Sequence, residues 1–249
     1  CDLLDKNGFE SRVLNTGVER ELNKKFSLED YFRKYEVKVA AIELHWYVHS
    51  CNAVETARLV KESSGAKVVM GGYTASFFDL EIMKSFSFVD AVIRGEGEIP
   101  VLEYMKAHSG ERYDEVPNLT YRHGDGIARS GRRWVADRET LDCLNYSNLS
   151  LLESRTKYLE TCMNAPCGSY TTIPKKVEKL FYLCTGRGCN ANCSYCGGSA
   201  YSALTITSRD SPSFRSEDKV VEEMKELHDS GVTTFFFDYD PHPMSGEYY

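Results

Sequence analysis

The chain is organised around Phe181-Tyr182-Leu183-Cys184-Thr185-Gly186-Arg187-Gly188-Cys189-Asn190-Ala191-Asn192-Cys193-Ser194-Tyr195-Cys196. The first part is a short apolar run that breaks into a glycine-relaxed loop, the pattern of a strand followed at once by a loop. The loop then sets three thiols, Cys189, Cys193 and Cys196, at C-x3-C-x2-C spacing. Free cysteine often serves as a small buried hydrophobe, but the Asn, Ala and Ser residues between these three do not look like core packing. Three thiolates in one compact loop make a tridentate claw for iron and sulfur. A [4Fe-4S] cluster held at all its irons takes four thiolates, so this claw leaves one iron open, and an open iron implies chemistry. Zinc is the rival reading, with Cys184 as the fourth thiolate of a tetrahedron. Against it, Cys184 lies in the apolar run, and only one C-x2-C pair is present where zinc ribbons and fingers usually show two.

These residues resemble the radical S-adenosylmethionine (SAM) enzymes, whose loop after the first barrel strand carries three cysteines at this spacing with an aromatic residue, here Tyr195, before the last. The resemblance implies that the open iron chelates the amino and carboxylate groups of SAM, and that an electron from the cluster cleaves SAM to a 5'-deoxyadenosyl radical. It also implies a one-electron donor such as flavodoxin or ferredoxin.

The composition is that of a soluble globular protein. With 249 residues the chain has room for one large domain or two modest ones, and 27% charged and 42% hydrophobic residues are ordinary for a globular protein. A net charge of -7 and a pI near 5.5 argue against a nucleic-acid surface built on bulk positive charge. No apolar stretch approaches the ~20 residues that span a bilayer, and no basic-then-apolar leader opens the chain, so a cytoplasmic protein is expected. Nine unevenly spaced cysteines, three of them packed together, fit a reducing compartment with a metal site better than a disulfide framework. Residue 1 is Cys and the last residues follow a strand-like run, so both ends look cut; the expectation is a piece of a longer polypeptide without substrate turnover of its own.

Upstream, the pattern alternates. Phe9 to Leu14 reads as a strand after a Gly8 stop, and Arg20 to Tyr35 as a polar connection with a short helix capped by Ser27. Val37 to Leu44 is a buried strand and Ala53 to Ser63 an amphipathic helix with Val54, Ala57 and Val60 inward. Ala66 to Met70 is a second strand ending in Gly71-Gly72, and Asp79 to Phe86 a helix. Asp90 to Arg94 is a third strand ending in Gly95-Glu96-Gly97-Glu98, with Ile99 to His108 helical after it. Strands and helices alternating in this way predict a doubly wound parallel sheet of Rossmann or flavodoxin-like type, with ligands at the carboxyl ends of the strands, where Gly71, Gly72, Gly95 and Gly97 fall.

Read with the downstream loop, this stretch resembles the cobalamin-binding domain that precedes the barrel in one subclass of radical SAM enzymes. There a Gly-Gly pair at a strand end lets backbone lie against the cofactor's nucleotide tail, the place taken here by Gly71 and Gly72; the physical reason is the missing side chain. The subclass's Ser-x-Leu element falls on Ile42-Glu43-Leu44 and lacks its serine, and no histidine is assigned as a lower cobalt ligand. His45 and His49 stand at the expected crevice, with contact to the corrin and a plain packing role both open.

Pro117 to Trp134 reads as a β-hairpin turning at Gly124-Asp125-Gly126 and closing off the first domain. Val135 to Val177 reads as an interdomain linker, in which Cys162 and Cys167 are assigned nothing. Beyond the cysteines, Ser216 is expected to cap a helix with Val220, Met224 and Leu227 inward, and Val232 to Asp238 to form a second barrel strand. The resemblance passes the reception of the SAM amino group to Asp238 and Asp240, where the family's glycines are absent. The expected domains are 1-116, cobalamin-binding-like; 117-179, hairpin and linker; and 180-249, the first βαβ unit of an incomplete (β/α) barrel. The expected function is reductive SAM cleavage coupled to cobalamin-dependent methyl transfer or rearrangement of an unread small-molecule substrate. A zinc-stabilised binding module and a cobalamin sensor with a structural cluster are the alternatives.

Overall fold

The computed structural model describes residues 1–107, 112–161, 179–191, 193–194 and 201–237. In chain order its helices are α1 (Asp2–Lys6), α2 (Thr16–Leu22), α3 (Leu28–Lys34), α4 (Ser50–Ser64), α5 (Tyr73–Phe77), α6 (Asp79–Ser85), α7 (Glu98–Lys106), α8 (Arg138–Cys143), α9 (Arg155–Thr161) and α10 (Glu217–Asp229). The strands are β1 (Val39–Glu43), β2 (Lys67–Gly71), β3 (Ala91–Ile93), β4 (Leu119–His123), β5 (Gly126–Arg129), β6 (Leu180–Tyr182), β7 (Gly186–Arg187), β8 (Ser213–Phe214) and β9 (Thr234–Phe236). They form two compact units: Ser27–Ala136 with Gly188–Pro212, and Cys1–Phe26 with Asp137–Arg187 and Ser213–Tyr249. The division differs from the expected one. The hairpin shares a unit with the parallel strands, and residues 188–212 fold with them as well.

The first of these units is built on a five-stranded sheet in the order β1-β2-β3-β4-β5. Strands β1 to β3 run parallel, whereas β4 joins β3 antiparallel and β5 joins β4 antiparallel. The sheet is therefore mixed, and the hairpin extends it instead of capping the domain. Among the described strands the order is consecutive, without the reversal that defines a doubly wound sheet. Helices nonetheless cover both faces. Val69, Ile93, Leu119 and Tyr121 pack with Tyr104 of α7, while Thr120, pointing to the opposite face by strand alternation, bonds Asp79 at the start of α6. Strand β3 is buried at all its positions and β2 at its centre, as strands covered on both sides must be. Each fully buried Val or Ile here contributes about 1.5–3 kcal/mol through removal of apolar surface from water.

Helix α4 buries Ala53, Ala57 and Val60, so the inward stripe begins one residue before Val54. It stops where Gly65 takes φ 68, the left-handed conformation of a C-terminal glycine, and its N–H returns to the Lys61 carbonyl. Helix α3 starts as expected, with the Ser27 side chain accepting the Asp30 N–H.

The second unit is described by itself. Strands β6 and β9 pair in parallel, Leu180 to Thr234 and Tyr182 to Phe236, and α10 lies between them in sequence, which gives a βαβ unit. Leu183, Val220, Leu227 and Val232 form its core with Leu159 of α9. Ser216 stands at the N-cap of α10 without a side-chain capping bond; its N–H instead donates to Asp142 Oδ1 at 2.9 Å. The expected strand at Phe9 to Leu14 is absent, reduced to a single parallel bridge between Val13 and Leu152. Helix α2 stands just after it, capped by the Asn15 side chain accepting from Gly17 and Val18.

Candidate functional site

The carboxyl ends of β1, β2 and β3 meet in a network of the chain's own backbone. Gly72 has φ 105, and a Cβ there would lie 2.7 Å from the Leu44 carbonyl oxygen and 2.8 Å from the His45 nitrogen. The turn beyond it donates back to the end of β1, Ala75 N–H to Leu44 O at 3.2 Å and Thr74 Oγ1 to His45 O at 2.9 Å. Ser76 Oγ donates to Gly72 O at 2.7 Å and accepts the Gly95 N–H at 2.7 Å, joining the ends of β2 and β3. Gly95 has φ 68, and a Cβ there would meet Thr207 Cα at 3.0 Å. At Gly72 and Gly95 the need for glycine thus comes from within the protein. Gly71 and Gly97 differ: a Cβ on either would make only ordinary contacts, at 3.7 Å or more.

At the same edge His45 packs its ring against Trp46 at 4.8 Å and Tyr73 at 4.6 Å. His49 closes the 3-10 turn Tyr47–His49 and is exposed. Large apolar side chains are exposed in the turn after β1, Tyr47 at 76% and Val48 at 63%, and at the end of α5, Phe77 at 58% and Phe78 at 46%. Exposed large apolar residues are suited to an apolar ligand or partner, and Tyr47 and Val48 follow the end of β1.

Two of the expected cluster cysteines, Cys189 and Cys193, are described; both are free and half-buried. Cys189 Sγ accepts the Ala191 N–H at 3.3 Å. Cys196 and Tyr195 lie outside the described residues, as do Asp238 and Asp240, Cys162 and Cys167, and Gly197 to Ser199. Among the described residues no three His, Cys, Asp or Glu side chains come together as metal ligands. The soft, half-buried thiols of Cys189 and Cys193 fit an iron-sulfur donor set, and the exposed Tyr47 and Val48 after β1 fit the apolar face of a corrin.

Cys184, the fourth thiolate of the zinc reading, belongs to the unit built on β6 and β9. It does not pack into the sheet. Its Sγ accepts from Arg187 Nη1 at 2.6 Å and lies 3.3 Å from Gly186 O, and Arg187 in turn stacks on Tyr146 at 5.3 Å. Beside it, Arg215 and Glu223 form an ion pair with no exposed side-chain surface. Burial pulls the Arg215 pKa down, but the Glu223 hydrogen bond and charge, with smaller help from Cys184 and Tyr146, raise it above the ordinary arginine value.

Sequence reasoning missed the residues that tie the strand-end unit together. Arg209 is buried against Glu96, the acid between Gly95 and Gly97, and the π-helical turn Tyr201–Ile206 touches α5. A lone arginine after a loop gives no signal of a partner 113 residues away.

The described residues contain no helix long and apolar enough to cross a membrane. No family model matches the chain. In overall fold it is similar to the cobalamin-dependent radical SAM proteins. One solved structure is the radical SAM methyltransferase TsrM of Kitasatospora setae with cobalamin and a [4Fe-4S] cluster bound, at TM-score 0.61 and 18% identity, covering 94% of this chain and 42% of that one. Another is the cobalamin-dependent radical SAM enzyme OxsB with aqua-cobalamin and SAM bound, at TM-score 0.55 and 13% identity, covering 86% and 25%. A curated relative, the anaerobic magnesium-protoporphyrin IX monomethyl ester cyclase of Cereibacter sphaeroides, is 25% identical over 154 residues, 58% of this chain and 22% of that protein. The chain thus spans less than half the length of each of these proteins.

Proposed function

We propose that this chain belongs to a cobalamin-dependent radical SAM enzyme, with Cys189, Cys193 and Cys196 as cluster ligands and the carboxyl edge of β1 to β3 as the cobalamin site. The observation that carries the reading is the packing of Ile206 and Thr207 on Gly95, because it brings the described residues that follow the cysteines in sequence onto the carboxyl end of β3. A cluster with one open iron would supply the electron that cleaves SAM, and cobalamin would supply methyl transfer or a rearrangement. The three thiols hold the cluster and leave its fourth iron free of protein. Tyr47, Val48, Phe77 and Phe78 would exclude water from the corrin, with His45 and His49 beside it, and Gly71, where an added Cβ would make only an ordinary 3.7 Å contact with Ile93 O, would accept the nucleotide tail. Gly97 flanks the same edge. Asp238 and Asp240, which follow β9 in sequence, and Tyr195 are assigned to SAM. A flavodoxin or ferredoxin is the proposed reductant, a small molecule the proposed substrate, and the cytoplasm the proposed compartment.

The test is anaerobic reconstitution with iron and sulfide, then metal analysis, electron paramagnetic resonance of the reduced protein, and titration with hydroxocobalamin and SAM. About four irons per chain, with a cluster signal that changes on adding SAM, is the expected result. Zinc uptake with no iron would refute the reading.

A further inference from the structure

Glu96 lies in the turn that ends β3, and Arg209 comes just after the π-helical turn, 113 positions later. Arg209 Nε donates to Glu96 Oε1 and its Nη2 to Oε2 at 2.8 Å. Both side chains are 4% exposed. Ala136 completes the arrangement: its N–H donates to Glu96 Oε2 at 2.7 Å, and its carbonyl accepts from Arg209 Nη2. A buried ion pair is a poor stabiliser in itself, since apolar residues of similar volume often do as well or better. What a forked guanidinium on a carboxylate supplies is one fixed geometry.

That geometry is transmitted to the cysteine segment. A Cβ on Gly188 would lie 3.1 Å from Pro212 Cα and 3.4 Å from Arg209 Cδ, so the start and the end of the segment close on the stem of the arginine. Gly188 directly precedes Cys189. The Arg209 and Ser208 amides donate to Leu204 and Thr205 carbonyls at 2.8 and 3.2 Å, which makes the return of the segment one small folded piece.

We infer that Glu96 and Arg209 are a positioning pair that holds the Gly188–Pro212 segment, and with it the root of the cysteine loop, in one setting on the carboxyl edge of β3. The pair acts through the loop and not on a reacting atom. Its mechanical part stands on the contacts alone; its effect on a cluster rests on the proposed function.

The experiment uses the full chain and three variants, Glu96→Gln, Arg209→Met and Arg209→Lys. In metal-free protein, hydrogen exchange over residues 201–212 should quicken on the order of a hundredfold in the first two variants, while β2 stays protected. The lysine, which keeps the charge but not the fork, should fall between. Unchanged exchange over 201–212 overturns the inference, and so does equal quickening of β2 in every variant, which would make the pair a general stabiliser. In protein reconstituted with iron and sulfide, the variants should keep their iron yet show a shifted resonance spectrum and midpoint potential. Identical spectra and potentials overturn the positioning of the cluster. Wild-type protein that takes up no iron refutes the proposed function instead, and the exchange result then judges the mechanical pair by itself.

Discussion

Gly72 turns so tightly against Leu44 that a methyl group at position 72 would sit 2.7 Å from the Leu44 carbonyl oxygen. The neighbouring Gly71 has no such neighbour, its Cβ position lying 3.7 Å from Ile93 O. Gly72→Ala should therefore cost about 1–3 kcal/mol of stability, from positive φ and a backbone clash together. Gly71→Ala should stay within about 0.5 kcal/mol of the parent. If the nucleotide tail of cobalamin lies over Gly71, that silent variant should lose cobalamin retention while melting like the parent. Denaturant titration and cobalamin content, measured on both variants, check the pair of expectations.

Asp79 is fully buried and bound by Arg129 through Nε to Oδ2 at 2.8 Å and Nη2 to Oδ1 at 2.5 Å, with Thr120 Oγ1 donating to Oδ2 at 2.5 Å. Burial pushes the carboxyl pKa up, but the hydrogen bonds of Arg129 and Thr120 and the charges of Arg129 and Arg94 outweigh it and hold the pKa below the ordinary aspartate value. A depressed folded-state pKa means stability that is present above the unfolded pKa and lost as the pH falls through the folded one. Asp79→Asn should be less stable than the parent by about 2–3 kcal/mol at neutral pH. The difference should shrink as the solution is made more acidic than the usual carboxylate range. Urea titrations of both proteins across that range give the answer, and a difference independent of pH would exclude ionisation of Asp79 as its source.

The parts of this fold legible in the sequence are those whose information is local. Strands β1 to β3 announce themselves as apolar runs, α4 by its stripe and its Gly65 stop, and α3 by Ser27. Strand β1, at the sheet edge, nonetheless buries only Ala40 and so is not the buried strand its composition suggested. Helix α2 was hidden because only Val18 of its residues is buried, so no apolar period marks it, although Asn15 is a readable cap. Helix α5 is five residues long, too short for a period to show. Phe9 to Leu14 has strand-like composition but forms, among the described residues, a single bridge, Val13 to Leu152, and composition carries no information about partners. The same limit hid the fourth place of β4 in the sheet. It also hid the ion pairs of Glu96 with Arg209 and Asp79 with Arg129, which join residues far apart in sequence. The cysteines stood out because all three fall within eight residues of sequence.

Arg215 donates to Glu223 Oε1 at 2.5 Å and Oε2 at 3.0 Å, to Cys184 O at 2.9 Å, and lies over the Tyr146 ring at 4.8 Å. Tyr146 N–H also reaches Glu223 Oε1, at 3.2 Å. Glu223→Ala leaves a guanidinium buried without its counter-charge and should cost about 3–5 kcal/mol. Replacing Arg215 and Glu223 together with Met and Leu should recover much of that loss. Thermal melts of the single and double variants test this; a double variant no more stable than the single one would mean that the pair's geometry, and not its charge balance, holds the loop after β6 to α10.

The division of labour among the cysteines gives the sharpest test of the chemistry. Cys184 Sγ takes a hydrogen bond from Arg187 at 2.6 Å, a cationic donor at the distance where a metal ligand would need its lone pair free. Among the described residues, Cys189 Sγ instead bonds the backbone of Ala191. Cys184→Ser should accordingly bind iron and sulfide like the parent after anaerobic reconstitution, with the same absorbance near 400 nm, on the order of that of one [4Fe-4S] cluster. Ser at Cys189, Cys193 or Cys196 should each lower iron content severalfold, because two thiolates do not hold four irons against exchange. A zinc site of four thiolates predicts the opposite for Cys184: its loss would release metal as fully as the loss of any other ligand. Metal analysis of the four variants side by side separates the two, and equal losses in all four would exclude the three-cysteine cluster.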